Sequence, residues 1–573
     1  MTKEKNLNIE KIFNLALVNH KENKFENAEK HYKQLLKIDS KHFNATYLLG
    51  TLFFQQNKLK DAKKIFESAM LINAGHAELC NNYGATLTQL GEYKSAINIL
   101  QKAIYINPNY AEAYNNLGAA LRELREYQKA IIFFEKANKL KPNFIDPYLN
   151  LGVVFKELAN FKKAIFFFKS VIKIKQNNTK AYQNLMELYE KTNQEKELND
   201  IIVIAKKFIK HDPIIKLYEA IIFYNNNEFI QAKNLLESIF FESLNIKNEI
   251  IRVTTLAKCF DRIGNGKLAF NYFVKANNLA PKLRKLNLYN KNRYLTQISS
   301  RINFFKQANI KKWKVVKPKN KRPDPIFLIG FPRSGTTLLD TVLRSHPAIE
   351  VVEEKPTVNS LINCINEMGN EGLKSLANIN EKEIEKIQNV YFKSLDNQIQ
   401  NKNATIYIDK LPLNIIHVGE IVRIFPNSKF ILSVRHPYDC VLSCFMQDFE
   451  LNDAMANFLD IKDSAQLYDY VMRLWFKYLS IFQIRYHEVK YENLIGNFKK
   501  TTELVLSFLD LPWDDAVFNY STTAKKREAI ATPSYNQVTK PLYSHADGRW
   551  KKYEKQISSI YPILNQWIKK FKY

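Results

Sequence analysis

Pro325-Ile-Phe-Leu-Ile-Gly-Phe-Pro-Arg-Ser-Gly-Thr-Thr-Leu-Leu339 decides the fold of the C-terminal half of this chain. The apolar run Ile326–Ile329 reads as a buried strand, Gly330–Gly335 as a tight loop, and Thr336–Thr337 as the opening of a helix. Strand, loop and helix N-terminus together make an anion cradle, because backbone N–H groups point inward and the helix dipole favours negative charge. The spacing Gly-x4-Gly is that of a phosphate-binding P-loop. Where a P-loop that binds ATP or GTP carries lysine, however, this chain has Thr336, and its cation comes earlier, at Arg333.

Downstream, short apolar strands alternate with helical stretches: Thr405–Ile408, Phe430–Val434 and Glu488–Lys490 follow Ile326–Ile329. That alternation predicts a parallel sheet with helices on both faces. Ligands of such sheets bind at the carboxyl ends of the strands. Upstream, Lys282–Arg322 is a basic connector, ending in the cation-dense run Lys311–Arg322. A charge run of this kind reads as a solvated linker; binding of a polyanion is the alternative.

The N-terminal half repeats with a period of 34 residues: Phe43–His76, Ala77–Tyr110, Ala111–Phe144, Ile145–Asn178 and Thr179–Asp212 align. Gly50, Gly84, Gly118 and Gly152 recur on the first helix of each unit, and Ala62, Ala96, Ala130 and Ala164 on the second. These small residues fall where two helices cross, and Phe66, Leu100, Phe134 and Phe168 supply the bulk. Pro108 and Pro142 close two of the units. The pattern resembles the tetratricopeptide repeat, a helix–turn–helix unit that stacks into a superhelix. Weaker units flank it, Ile9–His42 before and Pro213 to about Pro281 after. Asn82, Asn116, Asn150 and Asn184 share one repeat position, on the helix that lines the inner groove of such arrays. An amide ladder there offers donors and acceptors to an extended peptide. Alternatively, the copies inherit the residue without using it.

The expected architecture is therefore an all-α tetratricopeptide superhelix (1–285), a basic helical linker (286–322) and an α/β P-loop-like parallel-sheet domain (323–573). With 573 residues and an apolar fraction of 46%, the chain is long enough for several packed cores. Net charge is +28, from 85 Lys and Arg against 57 Asp and Glu. Such a balance favours anionic partners, although a Lys/Asn/Ile-rich composition gives the same charge without one. Five cysteines without a CxxC pair read as reduced thiols rather than disulfides or metal ligands. No signal-peptide core and no bilayer-length apolar run is present, so a soluble cytoplasmic protein is expected.

A second anchor is Phe430-Ile-Leu-Ser-Val-Arg-His-Pro-Tyr-Asp-Cys-Val-Leu-Ser443. Arg435 follows the strand at once and can hold a phosphate with its two-pronged guanidinium. Ser443, about two helical turns on, can add a bond to the same group. Combined with Pro332-Arg-Ser-Gly-Thr-Thr337, this makes two separate phosphate sites for one nucleotide.

On these residues the segment from about Pro325 to Trp550 resembles the sulfotransferases that use 3′-phosphoadenosine 5′-phosphosulfate (PAPS). The resemblance is to the tyrosylprotein sulfotransferase branch in particular, in which Arg replaces the Lys of the small-molecule enzymes. It implies that Pro332, Arg333, Ser334, Gly335, Thr336 and Thr337 hold the 5′-phosphosulfate, and that Arg435 and Ser443 hold the 3′-phosphate. Val352-Glu-Glu-Lys355, Asp409-Lys410 and Val489-Lys-Tyr-Glu-Asn-Leu494 resemble further segments of that branch, as does Pro512-Trp513. Tyr491, and Ser534 and Lys540 in the late segment Ser534–Pro541, are implied nucleotide contacts. The chain departs from the pattern at Val352 (a Gly there), Lys355 (a Thr) and Gln447 (an Arg).

In-line transfer of a sulfuryl group builds charge on the bridging oxygen of the leaving phosphate. Cations aimed there lower the barrier, and Arg333 and Lys410 are the candidates. The acceptor hydroxyl must lose its proton to a nearby base. The resemblance points to Glu353, with Glu354 as a neighbour that could be mistaken for it. Each also has a plain structural reading, Glu353 as a solvated loop carboxylate and Lys410 as a surface lysine. Small-molecule sulfotransferases use a His as base, and here His417 is the one histidine to test. No metal is expected, no nucleic-acid partner, and no transmembrane segment. The expected reaction is PAPS-dependent sulfation of a protein or peptide tyrosine presented by the repeats. Sulfation of a carbohydrate, lipid or small metabolite is one alternative; a non-catalytic repeat scaffold with a nucleotide-binding domain is another.

Overall fold

The computed structural model describes residues 2–240, 243–283, 289–308, 310, 313, 322–367, 372–401, 403–526 and 548–573. Two compact units divide the chain, Met1–Asp212 and Pro213–Tyr573. Ser534, Lys540 and most of the cation-dense run 311–321 lie outside the described residues.

The first unit consists of helix pairs at the 34-residue period: α1 (Thr2–Lys21) and α2 (Phe25–Ile38), α3 (Phe43–Gln55) and α4 (Leu59–Ile72), α5 (Ala77–Gln89) and α6 (Tyr93–Ile106), α7 (Ala111–Glu123) and α8 (Tyr127–Leu140), α9 (Ile145–Glu157) and α10 (Phe161–Ile174), α11 (Thr179–Lys191) and α12 (Glu195–Phe208). Every pair turns through one left-handed residue at the same repeat position: Asn23, Asn57, Gly91, Arg125, Ala159 and Asn193. The next N–H then reaches back across the turn to close the first helix, as from Asn160 to the Phe155 carbonyl at 2.8 Å. The recurring glycines and bulky residues meet as the period predicts. A Cβ added at Gly152 would lie 2.5 Å from the Phe168 ring, and one at Gly118 2.7 Å from Phe134. Phe134 and Phe168 are fully buried. Replacing Gly152 with Ala is expected to destabilise the unit by about 1–3 kcal/mol, the usual cost of overpacking a close crossing; urea unfolding measures it.

The second unit opens with α13 (Pro213–Asn225) and α14 (Phe229–Glu237), then α15 (Ile246–Ile263), α16 (Gly266–Leu283) and α17 (Lys291–Gln307). The same left-handed turn residue recurs at Asn227. After these helices come β1 (Ile326–Gly330), α18 (Thr336–Arg344), β2 (Ile349–Glu353), α19 (Thr357–Glu367), α20 (Glu381–Asp396), β3 (Ile406–Lys410), α21 (Val418–Ile424), β4 (Lys429–Val434), α22 (Pro437–Phe445), α23 (Ile461–Ile481), β5 (Arg485–Lys490) and α24 (Tyr491–Gly496). The five strands form one parallel sheet in the order β2-β3-β1-β4-β5. The sequence pattern shows four of them. The fifth, β2, carries two acids in five residues and does not read as a strand.

The chain leaves β1 toward β2 on one side and leaves β4 toward β5 on the other. The connections diverge between β1 and β4, which makes the carboxyl ends of those two strands the topological switch point of the sheet. Register places Gly330 opposite Ser433, Leu328 opposite Lys410, and Lys410 opposite Glu353.

Where the sequence reads as a solvated linker, α17 is an integral part of the second unit. Ile298, Arg301 and Phe305 are buried on one face. Phe305 sits so close to Gly419 that a Cβ there would meet its ring at 2.5 Å. Arg301 pairs with buried Glu420 at 2.9 Å. At the start of the same helix Lys291 pairs with Asp463, and Arg293 with Asp453. The preceding helices also pack against the sheet segment. Asn277 donates to the Phe445 carbonyl at 3.0 Å, and Asp261 of α15 accepts from Tyr553 at 2.7 Å.

Candidate functional site

The loop between β1 and α18 is held in a shape that few residues tolerate. Arg333 has φ 68°, and Gly335, which precedes α18, has φ 100°. Glycine suits the second position for a further reason: a Cβ there would lie 2.7 Å from the Tyr491 ring. Pro332 is fixed from below, its carbonyl accepting from the thiols of Cys440 and Cys444 at 3.2 Å each. The Ser334 carbonyl accepts from the Ser433 hydroxyl at 2.9 Å. Ser334 is 1% exposed, yet among the described residues its own hydroxyl oxygen has no hydrogen-bond partner. A buried unsatisfied hydroxyl in a loop at a helix N-terminus is what an anion-binding cradle requires. Thr336 and Thr337 are buried at the first turn of α18.

The second anchor lies beside this loop. The Arg333 Nε–H donates to the Ser443 hydroxyl on α22 at 3.1 Å. Arg435, 6% exposed, donates to the Arg333 carbonyl at 3.4 Å, and its guanidinium stands 5.0 Å from the centre of the Tyr491 ring. The sequence-predicted phosphate residues of β1, β4 and α22, with Tyr491 after β5, are thus brought together at the switch point. His436 packs rather than exposing a catalytic nitrogen: its backbone N–H donates to Glu492 at 2.9 Å, and its ring stacks on Trp550 at 5.3 Å.

The candidate base and cation meet at the ends of β2 and β3. The Lys410 Nζ is fully buried and pairs with Glu354 at 2.8 Å and Glu353 at 3.4 Å. Burial disfavours its ammonium, but Glu354, Glu353 and Asp340 outweigh that and hold its pKa above the ordinary value. Lys410 is therefore a charged residue locked inside the site, not a surface lysine. Glu353 is the last residue of β2, with only 8% of its side chain exposed, and not a solvated loop carboxylate.

Neighbouring Asp409 points to the other side of β3. Its carboxylate accepts from Tyr391 at 3.0 Å and from Thr357, both buried. Burial raises its pKa to about 6, against these two donors. A folded-state pKa above the unfolded one contributes stability below about pH 4 that is lost as pH rises through about 6. The wild type is therefore expected to lose about 2 kcal/mol relative to Asp409→Asn between pH 4 and pH 7. Denaturant titrations at the two pH values measure this.

His417 is committed elsewhere. Its Nδ1 lies 3.2 Å from both Arg301 and Glu420, and burial lowers its pKa. The groove asparagines are engaged between repeats. Asn116 donates to Asn81 at 2.8 Å and Asn150 to Asn115 at 2.9 Å. Asn82 donates to Tyr47 at 3.1 Å, and Asn184 accepts from Lys156 at 2.8 Å.

Sequence reasoning missed Ser433, Cys440, Cys444 and Glu492 as supports of the site. Ser433 had a signal, a lone hydroxyl in the apolar run of β4. The two cysteines also had one, at i and i+4 on the helix that carries Ser443.

Residues 325–515 match the model of the sulfotransferase family. Residues 84–124, 111–144 and 145–178 match models of the tetratricopeptide repeat, and residues 21–103 match one described as anaphase-promoting complex, cyclosome, subunit 3. An uncharacterised protein of Aquifex aeolicus is 28% identical over 53% of this chain and 39% of its own length. Protein-tyrosine sulfotransferase 1 of Danio rerio is 25% identical over 40% of this chain and 66% of its own. Protein-tyrosine sulfotransferase of Drosophila melanogaster is 25% identical over 40% and 48%. The chain thus spans less than two thirds of the length of each of these relatives. It carries tetratricopeptide repeats in its N-terminal region and a sulfotransferase-family domain in its C-terminal region. Among the described residues no helix is long and apolar enough to cross a membrane.

Proposed function

We propose that the protein moves the sulfuryl group of PAPS to a hydroxyl acceptor, a protein or peptide tyrosine presented by the repeat domain. The observation that supports the reading is that the β1–α18 loop and the segment after β4, each expected to bind an anion, meet at the switch point, joined by the Arg333–Ser443 bond of 3.1 Å. One phosphate loop alone would suit many nucleotides. A second arginine–serine pair beside it suits one phosphorylated at 3′ as well as 5′.

In this reaction the acceptor oxygen bonds to sulfur as the sulfur–oxygen bond to the leaving phosphate breaks. The electron pair goes to the phosphate, and the hydroxyl proton goes to Glu353. Arg333 and Lys410 offset the charge that builds on the bridging oxygen. Because both are held by the protein before reaction, little reorganisation is needed. The net charge of +28 also favours capture of an anionic donor. The role of Asn82, Asn116, Asn150 and Asn184 as a substrate groove belongs to the same proposal.

One observation favours a different acceptor. The groove amides already bond to neighbouring repeats, which suits an array built for assembly and a carbohydrate, lipid or metabolite acceptor. Transfer of radiolabelled sulfate from PAPS to tyrosine peptides and, in parallel, to glycans separates the two. Label on peptides supports the tyrosine reading; label on glycans alone selects the other. No label on any hydroxyl acceptor overturns sulfuryl transfer.

A further inference from the structure

Two adjacent carboxylates reach the same buried ammonium, and ordinary strand geometry does not allow that. Successive side chains of a strand point to opposite faces. Glu353 ends β2 in extended backbone, whereas Glu354 has φ 50°, a left-handed conformation rare for a residue with a side chain. That single residue breaks the alternation and turns the Glu354 carboxylate onto Lys410. Its backbone also ties to the same residue, the Glu354 N–H donating to the Lys410 carbonyl at 2.7 Å. Strained backbone of this sort persists where the surroundings enforce it, often at functional sites.

The two contacts are unequal, 2.8 Å from Lys410 Nζ to Glu354 and 3.4 Å to Glu353. A carboxylate in tight contact with an ammonium is a weak base, because the cation stabilises its ionised form. Resting on the proposed function, in which Glu353 takes the acceptor proton, we propose that Glu354 is a positioning residue: it is the main counter-ion of Lys410 and keeps the ammonium from closing onto Glu353. Glu353 thereby retains the proton affinity that a general base needs. Among the described residues, the charged groups that act on the ammonium are Glu354 and Glu353 from the end of β2 and Asp340 from α18. With Glu354 neutral, Asp340 remains, and the ammonium turns to Glu353.

The test uses the full chain and the Glu354→Gln, Glu354→Asp and Glu353→Gln variants. Carboxyl-13C-labelled glutamate reads the titration of Glu353, its resonance assigned by its loss in Glu353→Gln. In Glu354→Gln the Glu353 midpoint is expected to fall by about one pH unit, with partial return in Glu354→Asp. Where sulfate transfer from PAPS is measurable, kcat of Glu354→Gln falls about tenfold at pH 7 and the acid limb of its pH profile moves down by the same unit. Binding of adenosine 3′,5′-bisphosphate is expected to stay within about twofold, since the proposed phosphate contacts are the β1–α18 loop, Arg435 and Ser443. An unmoved Glu353 midpoint overturns the proposal, as does a Glu353→Gln variant that keeps full activity while Glu354→Gln loses it. Absence of transfer in the wild type would overturn the proposed function instead, and the Glu353 titration would still decide the role of Glu354.

Discussion

With Glu353 as the proposed general base, Glu353→Gln is expected to lower kcat for sulfate transfer by about 10²–10⁴-fold, the usual contribution of such a group. The substitution keeps the shape of the side chain and a hydrogen-bonding terminus, so folding should survive. The affinity for adenosine 3′,5′-bisphosphate should hold, because the residues proposed to bind its phosphates belong to the β1–α18 loop and to Arg435 and Ser443, not to β2. A rate unaffected by the change would leave the reaction without a base at this position. A proportional loss of rate and nucleotide binding would show that Glu353 shapes the pocket rather than receiving a proton. The distinction requires kcat and KM to be measured separately.

A second large effect is expected far from the chemistry. Arg301→Leu removes the guanidinium that faces Glu420, and both side chains are almost fully buried, at 7% and 2% exposure. Burial works to raise the pKa of Glu420, but Arg301 and then His417 outweigh it and hold it at about 2. A depressed carboxylate contributes stability above its unfolded pKa that is lost as pH falls toward about 2. Without Arg301 the charge stays buried and loses its main partner, which costs about 3–5 kcal/mol near neutral pH. Replacing both partners with apolar residues should recover most of that, because the uncompensated charge is gone. Chemical denaturation of the single and double variants measures both. The same reasoning predicts that a chain starting at residue 323, after α17, folds poorly.

That ion pair shows where the sequence stopped being legible. The segment 286–322 is so rich in Lys and Arg that it reads as solvated, yet Ile298, Arg301 and Phe305 form a buried stripe at helical spacing. The cations around the stripe hid it, and nothing local to Arg301 indicates that Glu420, over a hundred residues away, is its partner. The repeats were readable because Gly and bulky residues recur in register, and a crossing that admits no Cβ leaves the same mark in each copy. The left-handed turn residue was half readable, as Asn or Gly at most positions but as Arg125 and Ala159 at two. The asparagine ladder was readable as a period; its partners, such as Asn81 and Asn115, were not, because an amide's partner is a matter of packing between repeats. In the sheet domain the loop 330–337 and Arg435 carried the site in local sequence. The strand β2 does not show itself in the sequence, so only resemblance points to Glu353, and its place opposite Lys410 is a matter of register.

The central claim is that this site holds a nucleotide phosphorylated at both 3′ and 5′. Calorimetric binding of adenosine 3′,5′-bisphosphate against adenosine 5′-monophosphate tests it most directly, with Arg435→Ala as the paired variant. Charge-assisted hydrogen bonds contribute about 1.5–3 kcal/mol each, so the bisphosphate should bind the wild type at least about tenfold more tightly. Arg435→Ala should erase most of that preference and leave the monophosphate little changed. Equal affinities for the two nucleotides in the wild type, or a preference that survives in Arg435→Ala, would contradict the account.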